Sequence, residues 1–410
     1  MKADDRYRCI PETRLVEMVT LLGWAYEQGS SAAREGAEEA LETWVKLGLK
    51  FRSPPDGGRL FDPVEVHNFM KLAAVEGRDG FLADRLAPTL RRLVQDLAAS
   101  APSGVPAEDA RPFEVEFKRN FNLRAVAFGR KLRLRAPLPL KGPHLQNLQV
   151  APFCVAGRGA QLTVGPGRLE LRMTPAGDEE AVVGAKLAFA ARPQEQAFDC
   201  EMTAEEKALY LRPREGLIVV SDRIRALALS LAGSDSTVGN AVRVFWDYIH
   251  DELMGGTIHY DQVDAVAPGD WVLDAGWFDC QMGSALFIAL CRARGIPARL
   301  VGGNLLYRIA PTNHFWAEVW FDDRGWVPFD FAGWDLAAGG RDPQWRDHFY
   351  GRLDCRFTTQ RMPRDFTGAL GLPIPAAWCL LQRAIPGGVE MIFADVDGTP
   401  VYSDAVCVTG

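Results

Sequence analysis

Apolar residues recur every three to four positions through RLVEMVTLLGWAYEQ (14–28), AAREGAEEALETWVKLGL (32–49) and DRLAPTLRRLVQDLAAS (84–100), with breaks at SPPDGGRLFDP and EGRDG. That period predicts an all-helical module over residues 1–105. ASAPSGVPAEDARP (99–112), rich in Pro, Ala and Ser and poor in bulky apolar residues, reads as a linker. From Phe113 the period falls to two: FEVEF, LRAVAF, KLRLRAPLPL, GRLELRM and AVVGAKLAFAARP predict short strands and a β-rich domain over 113–212. Pro137 and Pro139 suit an edge strand or a strand exit, since proline cannot donate to a ladder. Residues 213–410 are mixed: SDRIRALALSLAG and STVGNAVRVFWDYIHDEL are helices, with Ser221 and Ser236 as candidate caps. A loop of Gly, Asp and Pro then leads to a further helix, and strands follow from Arg299.

That further helix lies in WFDCQMGSALFIALCRARGIPARLVGG (277–303), is apolar nearly all round, and closes at Gly295 and Pro297. It should be buried, with its first turn reaching the edge of the core. A thiol at this end, Cys280, sits against unpaired N–H groups and the positive end of the helix dipole, both of which favour thiolate. Its own N–H is free to serve an oxyanion. The competing reading is an inert buried thiol; Cys291, near the other end of the same helix, is read that way.

TNHFWAEVWFDDRGWVPFDFAGW (312–334) predicts two strands around a turn at Asp322 to Gly325. Phe315, Ala317, Val319 and Phe321 are all apolar, as are Val327, Phe329 and Phe331. If these share a core face, strict alternation places His314, Trp316, Glu318 and Trp320 beside Trp326, Pro328 and Asp330 on the other. The parity requires a bulge or a three- or five-residue loop, for which Gly325 is suited. Thiol, imidazole and carboxylate then make a set complete in type: a nucleophile, a base and a group to fix the base's tautomer.

Together WFDCQMGSALFIALCRARGIPARLVGG, NHFWAEVWF and GWVPFDF resemble the transglutaminase-like superfamily, as does the upstream AVRVFWDYIHDELMGGTIHYD. The resemblance spans residues 215–335, with RLDCRFTTQRMPRDFTG as a further stretch. It implies an α+β, papain-like core with Cys280 as nucleophile, His314 as base and Asp330 as its orienting acid. The preceding β module resembles the β-sandwich-like N-terminal domain of many bacterial members. Phe278 departs from the glycine often found two before the cysteine and is expected to narrow the entrance. Trp246, Tyr260, Trp271 and Trp277 are candidates for a second oxyanion donor, and Trp277, Tyr260, Trp316 and Trp320 for substrate binding. The alternative for Trp316 and Trp320 is packing against another element.

The implied chemistry is an acyl-enzyme formed from a peptide or other amide and passed to water or an amine. Transfer from a carrier-protein or coenzyme thioester is the second enzymatic reading, and a non-catalytic interaction module the rival from another class. A net charge of −7 and a pI near 5.5 argue against nucleic acid or an anionic membrane as partner. The N-terminal stretch lacks a signal-like apolar core, and no run approaches the roughly 18 apolar residues of a membrane span, so a cytoplasmic chain is expected. The eight cysteines stand singly, and His67, His144, His250, His259 and His348 show no ligand spacing, so neither metal nor cofactor is expected. FADVDGTPVY (393–402) mimics a D-x-D-G-T phosphoryl-transfer motif, but Asp397-Gly398 between apolar runs reads as a hairpin turn. GPGRL (165–169) is likewise read as a turn, not a phosphate loop.

Overall fold

The computed structural model describes residues 9–13, 31–75, 110–194, 201–331, 347–364, 378–394 and 400–408, apart from positions 125, 127, 128, 178, 309 and 310. In the first module, β1 (Ile10–Pro11) pairs antiparallel with β2 (Leu60–Phe61), beside helices α1 (Ser31–Lys46) and α2 (Pro63–Val75). The module is therefore not all-helical: the break containing RLFDP supplies a strand before Pro63 starts α2. Asp62 accepts the Val64 N–H at 3.0 Å, and proline at the first helical position has no N–H to lose. One face of α1 buries Ala40, Leu41 and Trp44. The segments expected as helices at 14–28 and 84–100 lie outside the described residues, as does the linker up to 109. Arg111 and Pro112, expected in that linker, already belong to the first long strand.

Six strands follow: β3 (Arg111–Asn122), β4 (Leu132–Pro137), β5 (Leu145–Val155), β6 (Gln161–Gly165), β7 (Arg168–Met173) and β8 (Glu180–Ala191). Along β3 the period-two pattern buries Val115, Phe117 and Phe121 and turns Glu114, Glu116 and Lys118 outward. Pro137 ends β4, an edge strand of the sheet β4-β7-β6. Gly165 and Arg168 are paired across the tight turn of the β6–β7 hairpin.

From residue 201 the chain builds a second core. Its elements are α3 (Ala204–Tyr210), β9 (Arg214–Glu215), β10 (Ile218–Val219), α4 (Asp222–Ala232), α5 (Val238–Glu252), β11 (Met254–Gly255), α6 (Pro268–Ala275), β12 (Trp277–Phe278), α7 (Cys280–Ala293), β13 (Ala298–Leu305), β14 (Asn313–Phe321), β15 (Gly325–Phe329) and β16 (Arg356–Arg361). Helix α3 lies within the span expected to be β-rich. It has a capping box, with the Thr203 hydroxyl accepting the Glu206 N–H while Glu206 accepts the Thr203 N–H. Its last residue, Tyr210, packs on Trp326 of β15, so residues 201–212 belong with this core. Helix α6 occupies the stretch expected to be a loop; Pro268 opens it and Gly276, at φ +70°, closes it. Ser221 caps α4 as expected, whereas α5 is capped by Thr237 rather than Ser236.

β13 to β16 form an antiparallel sheet in the order β15-β14-β13-β16. Helix α7, buried from Gln281 to Arg292, shares one hydrophobic core with Phe315, Ala317, Val319 and Phe321 of β14 and with Val327, Phe329 and Phe331.

The chain then re-enters the β-rich domain. β17 (Trp378–Ile385), β18 (Gly388–Ala394) and β19 (Pro400–Val408) complete a six-stranded sheet ordered β17-β18-β19-β3-β8-β5. The expected catalytic unit of 213–410 is corrected here: β17 pairs with β18, β18 with β19 and β19 with β3, and apolar residues of β18 and β19 such as Val389, Met391, Val406 and Val408 join the core of the β-rich domain. Arg119 of β3 and Asp404 of β19 form a buried pair at 2.6 Å beneath Tyr402. The turn at Asp397-Gly398 lies outside the described residues, but the strands flanking it pair antiparallel.

Candidate active site

Cys280 is the first residue of α7, and the residue before it shapes its surroundings. Asp279 is the N-cap: its Oδ1 accepts the N–H groups of Gln281 (3.1 Å) and Met282 (2.8 Å). Its Oδ2 accepts the Tyr260 hydroxyl at 2.8 Å. Two N–H groups expected to be unpaired are thus taken by a carboxylate, which offsets the helix dipole near the thiol. The Cys280 N–H is not one of those two. Burial pushes the Asp279 pKa up, against the pull of these hydrogen bonds and of His314. Phe278 points inward, 2% exposed, against Phe331 and Gly283, because β12 alternates and its even position faces the core. It does not narrow an entrance.

The hairpin follows the parity read from its apolar positions. Trp320 pairs with Trp326 and Phe321 with Gly325, leaving a three-residue loop closed by Gly325 at φ +70°. His314 and Asp330 share a face, and Nε2 of the imidazole lies 2.8 Å from Oδ1 of the carboxylate. With Nε2 engaged, Nδ1 is the nitrogen left to serve the Cys280 thiol, and Cys280 is one of the side chains that act on the imidazole. Burial disfavours the imidazolium, but Asp330 and Cys280 overcome it and raise the His314 pKa to about 10. Burial likewise acts against the Asp330 carboxylate, and His314 and Arg356 outweigh it, holding its pKa well below the usual range.

The second oxygen of Asp330 is held by a residue that sequence reasoning missed. Arg356, at the start of β16, donates from Nη1 to Asp330 Oδ2 at 2.6 Å and from Nε to Asp354 Oδ1 at 2.8 Å, with Nη2 also on Asp354. The only available sign was the D-x-R spacing of Asp354 and Arg356 in RLDCRFTTQR, which puts both on one side of an extended segment.

The remaining expectations divide. Trp316 is fully buried, packed with Val301 and Leu353 under the Arg356 guanidinium. Trp320 packs on Tyr210 and Trp326 and donates to Asp322 at 3.0 Å. Neither lines a groove: Tyr210 of α3 covers Trp320, Leu353 and Arg356 cover Trp316, and beside them Gln194, which follows β8, donates to Glu318 at 3.2 Å and exchanges backbone hydrogen bonds with Leu353. Trp246 is core, stacked on Phe331, and Trp271 packs against the same core. Tyr260 is committed to the Asp279 cap. Trp277 is half-buried, its ring against Gly256, two residues before the thiol's cap. Cys291 is fully buried, and burial pushes its thiol pKa upward.

Helix α2 is fastened next to this site. Asn68 donates to the Thr257 carbonyl and accepts the Thr257 N–H, each at 2.9 Å, and Asp62 lies 3.0 Å from His259. Among the described residues no group of three or more His, Cys, Asp or Glu side chains could hold a metal, and no helix is long and apolar enough to cross a membrane.

Residues 225–331 match the family model of the transglutaminase-like superfamily core. A relative from Bacillus subtilis (strain 168), the uncharacterized protein YebA, is 27% identical over 128 residues, which cover 27% of this chain but only 17% of the relative. Similar solved structures include a candidate cysteine protease from Cytophaga hutchinsonii (14% identity, 74% of this chain and 89% of that one, TM-score 0.43). Another is the periplasmic domain of TgpA from Pseudomonas aeruginosa (17% identity, 57% of this chain and 93% of that one, TM-score 0.31). The matched residues run from α4 through the buried helix to the hairpin that brings His314 and Asp330 together: the chain carries a domain of the transglutaminase-like superfamily.

Proposed function

We propose that the protein is a cysteine-dependent acyl-transfer enzyme acting on an amide carbonyl, with Cys280 as nucleophile, His314 as base and Asp330 as orienting acid. The reading rests on one observation: the His314 imidazole is held through Nε2 by the Asp330 carboxylate at 2.8 Å, and Cys280 is the other side chain that raises its pKa. The proton shared by Cys280 and His314 lies on the imidazole as sulfur bonds to the carbonyl carbon, leaving the imidazolium already in place to act as acid, and the resulting oxyanion is received by the Cys280 N–H. Collapse breaks the C–N bond, and the imidazolium proton leaves on the amine. Water or a second amine then attacks the thioester, giving its proton to His314, and the thiolate departs and is reprotonated. Asp330 stabilises the imidazolium and fixes the tautomer throughout.

The test is intact-mass trapping of an adduct from a library of peptides, simple amides and acyl thioesters. An adduct of acyl mass on the native chain, lost in Cys280→Ala, is expected, and its mass names the donor. Adducts from thioesters alone would move the donor class away from amides. Iodoacetamide labelling at mildly acidic pH that falls on another cysteine, with Cys280 silent, would remove the nucleophile from the scheme.

A further inference from the structure

A buried carboxylate that serves a histidine has two requirements: it must stay ionised without solvent, and its free oxygen must not turn away. Asp330 is fully buried, and Oδ1 is spent on His314. Arg356, 1% exposed, meets the first requirement by placing Nη1 on Oδ2. A guanidinium given wholly to Asp330 would cancel the charge that His314 needs. Asp354 prevents this, because the other two nitrogens of the fork, Nε and Nη2, turn to it, and its side chain is itself 1% exposed. Two carboxylates and one guanidinium leave one net negative charge away from water, and an imidazolium at His314 balances it.

We propose that Asp354 and Arg356 are a positioning pair, which holds the Asp330 carboxylate ionised and aimed at His314. The inference deepens the acyl-transfer reading and rests on it. Planar, two-sided donation suits arginine, since a lysine ammonium offers no fixed fork. The Trp316 ring, whose centroid lies 5.0 Å from the guanidinium carbon, backs the fork.

Other charges face the same cluster. Asp279 and Cys280 approach His314 from α7, and Tyr307 stands beside Asp354. From the β-rich side His144 senses Arg192, Glu318, Arg356 and Arg361, with Glu318 already paired to Arg299 at 2.6 Å. All of them except Arg356 itself remain in the variants below, so differences between variants report the pair.

The experiment follows His314 by proton–carbon correlation NMR across pH in the full chain, beside iodoacetamide labelling of Cys280. Asp354→Asn removes a negative charge and should make His314 titrate lower; Arg356→Met removes a positive one and should make it titrate higher, each by about one pH unit. Arg356→Lys keeps the charge but not the fork: the titration should stay near wild type while labelling slows several-fold. Unmoved titration in Asp354→Asn, or shifts of the same sign in Asp354→Asn and Arg356→Met, would overturn the proposal, as would full labelling speed in Arg356→Lys. If Arg356→Met does not fold, Asp354→Asn decides alone. A wild-type Cys280 that resists iodoacetamide defeats the acyl-transfer reading instead, and the titrations still judge the pair.

Discussion

The carboxylate before the nucleophile offers a sharp test, because it works for folding and against the thiol. Asp279→Ala removes the acceptor for two backbone N–H groups, and loss of an N-cap costs about 1 kcal/mol. It also removes the hydrogen bond from the Tyr260 hydroxyl, worth about 1 kcal/mol. Part of this is returned, since burying the charge is itself unfavourable and raises the Asp279 pKa. The expected net loss is at most about 2 kcal/mol. Asp279→Asn keeps the Oδ1 acceptor and sheds the charge, so it should cost less than about 1 kcal/mol. A carboxyl whose pKa is raised on folding contributes stability at low pH that is lost as pH rises through the folded value. Wild type should therefore gain on Asp279→Asn as pH is lowered. Equilibrium urea unfolding at neutral and mildly acidic pH measures all three. The reasoning fails if Asp279→Ala lies within about 0.5 kcal/mol of wild type, or if Asn is as damaging as Ala.

Three further outcomes are expected. Because the folded His314 pKa of about 10 exceeds its ordinary 6.5, its stabilising contribution is complete below pH 6.5 and is lost as pH rises toward 10. The stability gap between wild type and His314→Gln should shrink across that window in unfolding titrations. Gly283→Ala would set a Cβ 2.4 Å from Cδ2 of Phe278, so a loss of about 1–3 kcal/mol is expected, relieved in part by adding Phe278→Leu. Trp316→Ala should lower stability by about 3–5 kcal/mol, as for other fully buried aromatics, whereas Trp320→Phe should leave the profile of acyl donors trapped on Cys280 unchanged.

What was legible in the sequence was whatever short-range periodicity controls. The apolar sides of 315–321 and 327–331 set the register, so His314 and Asp330 fell on one face and Gly325 closed a three-residue loop as parity demands. The apolar run after Cys280 likewise announced a buried helix. Partners chosen by distant chain were not legible. Arg356 lies 26 positions beyond Asp330, and nothing in its own strand marks it for that carboxylate. The tryptophans misled because polar-side position on a strand says nothing of what covers that side, and here Tyr210 lies over Trp320 while Leu353 and Arg356 lie over Trp316. Asp279 was present in the quoted motif, but the dipole argument treated the helix start as bare when its preceding residue is a preferred cap. Helix α6 escaped because glycine, aspartate and proline mark helix ends as well as loops.

β19 lies between β18 and β3, in the interior of a six-stranded sheet rather than at its rim. Deleting residues 378–408 would therefore spare Cys280, His314, Asp330 and Arg356 yet tear the neighbouring domain along its middle. A row of unmatched amides and carbonyls on β3 would then lie open, which is a template for clumping with other chains. A shortened chain of this kind should keep every reacting group and still be lost to precipitation, so the integrity of the scaffold is coupled to a stretch that supplies none of the proposed reacting groups.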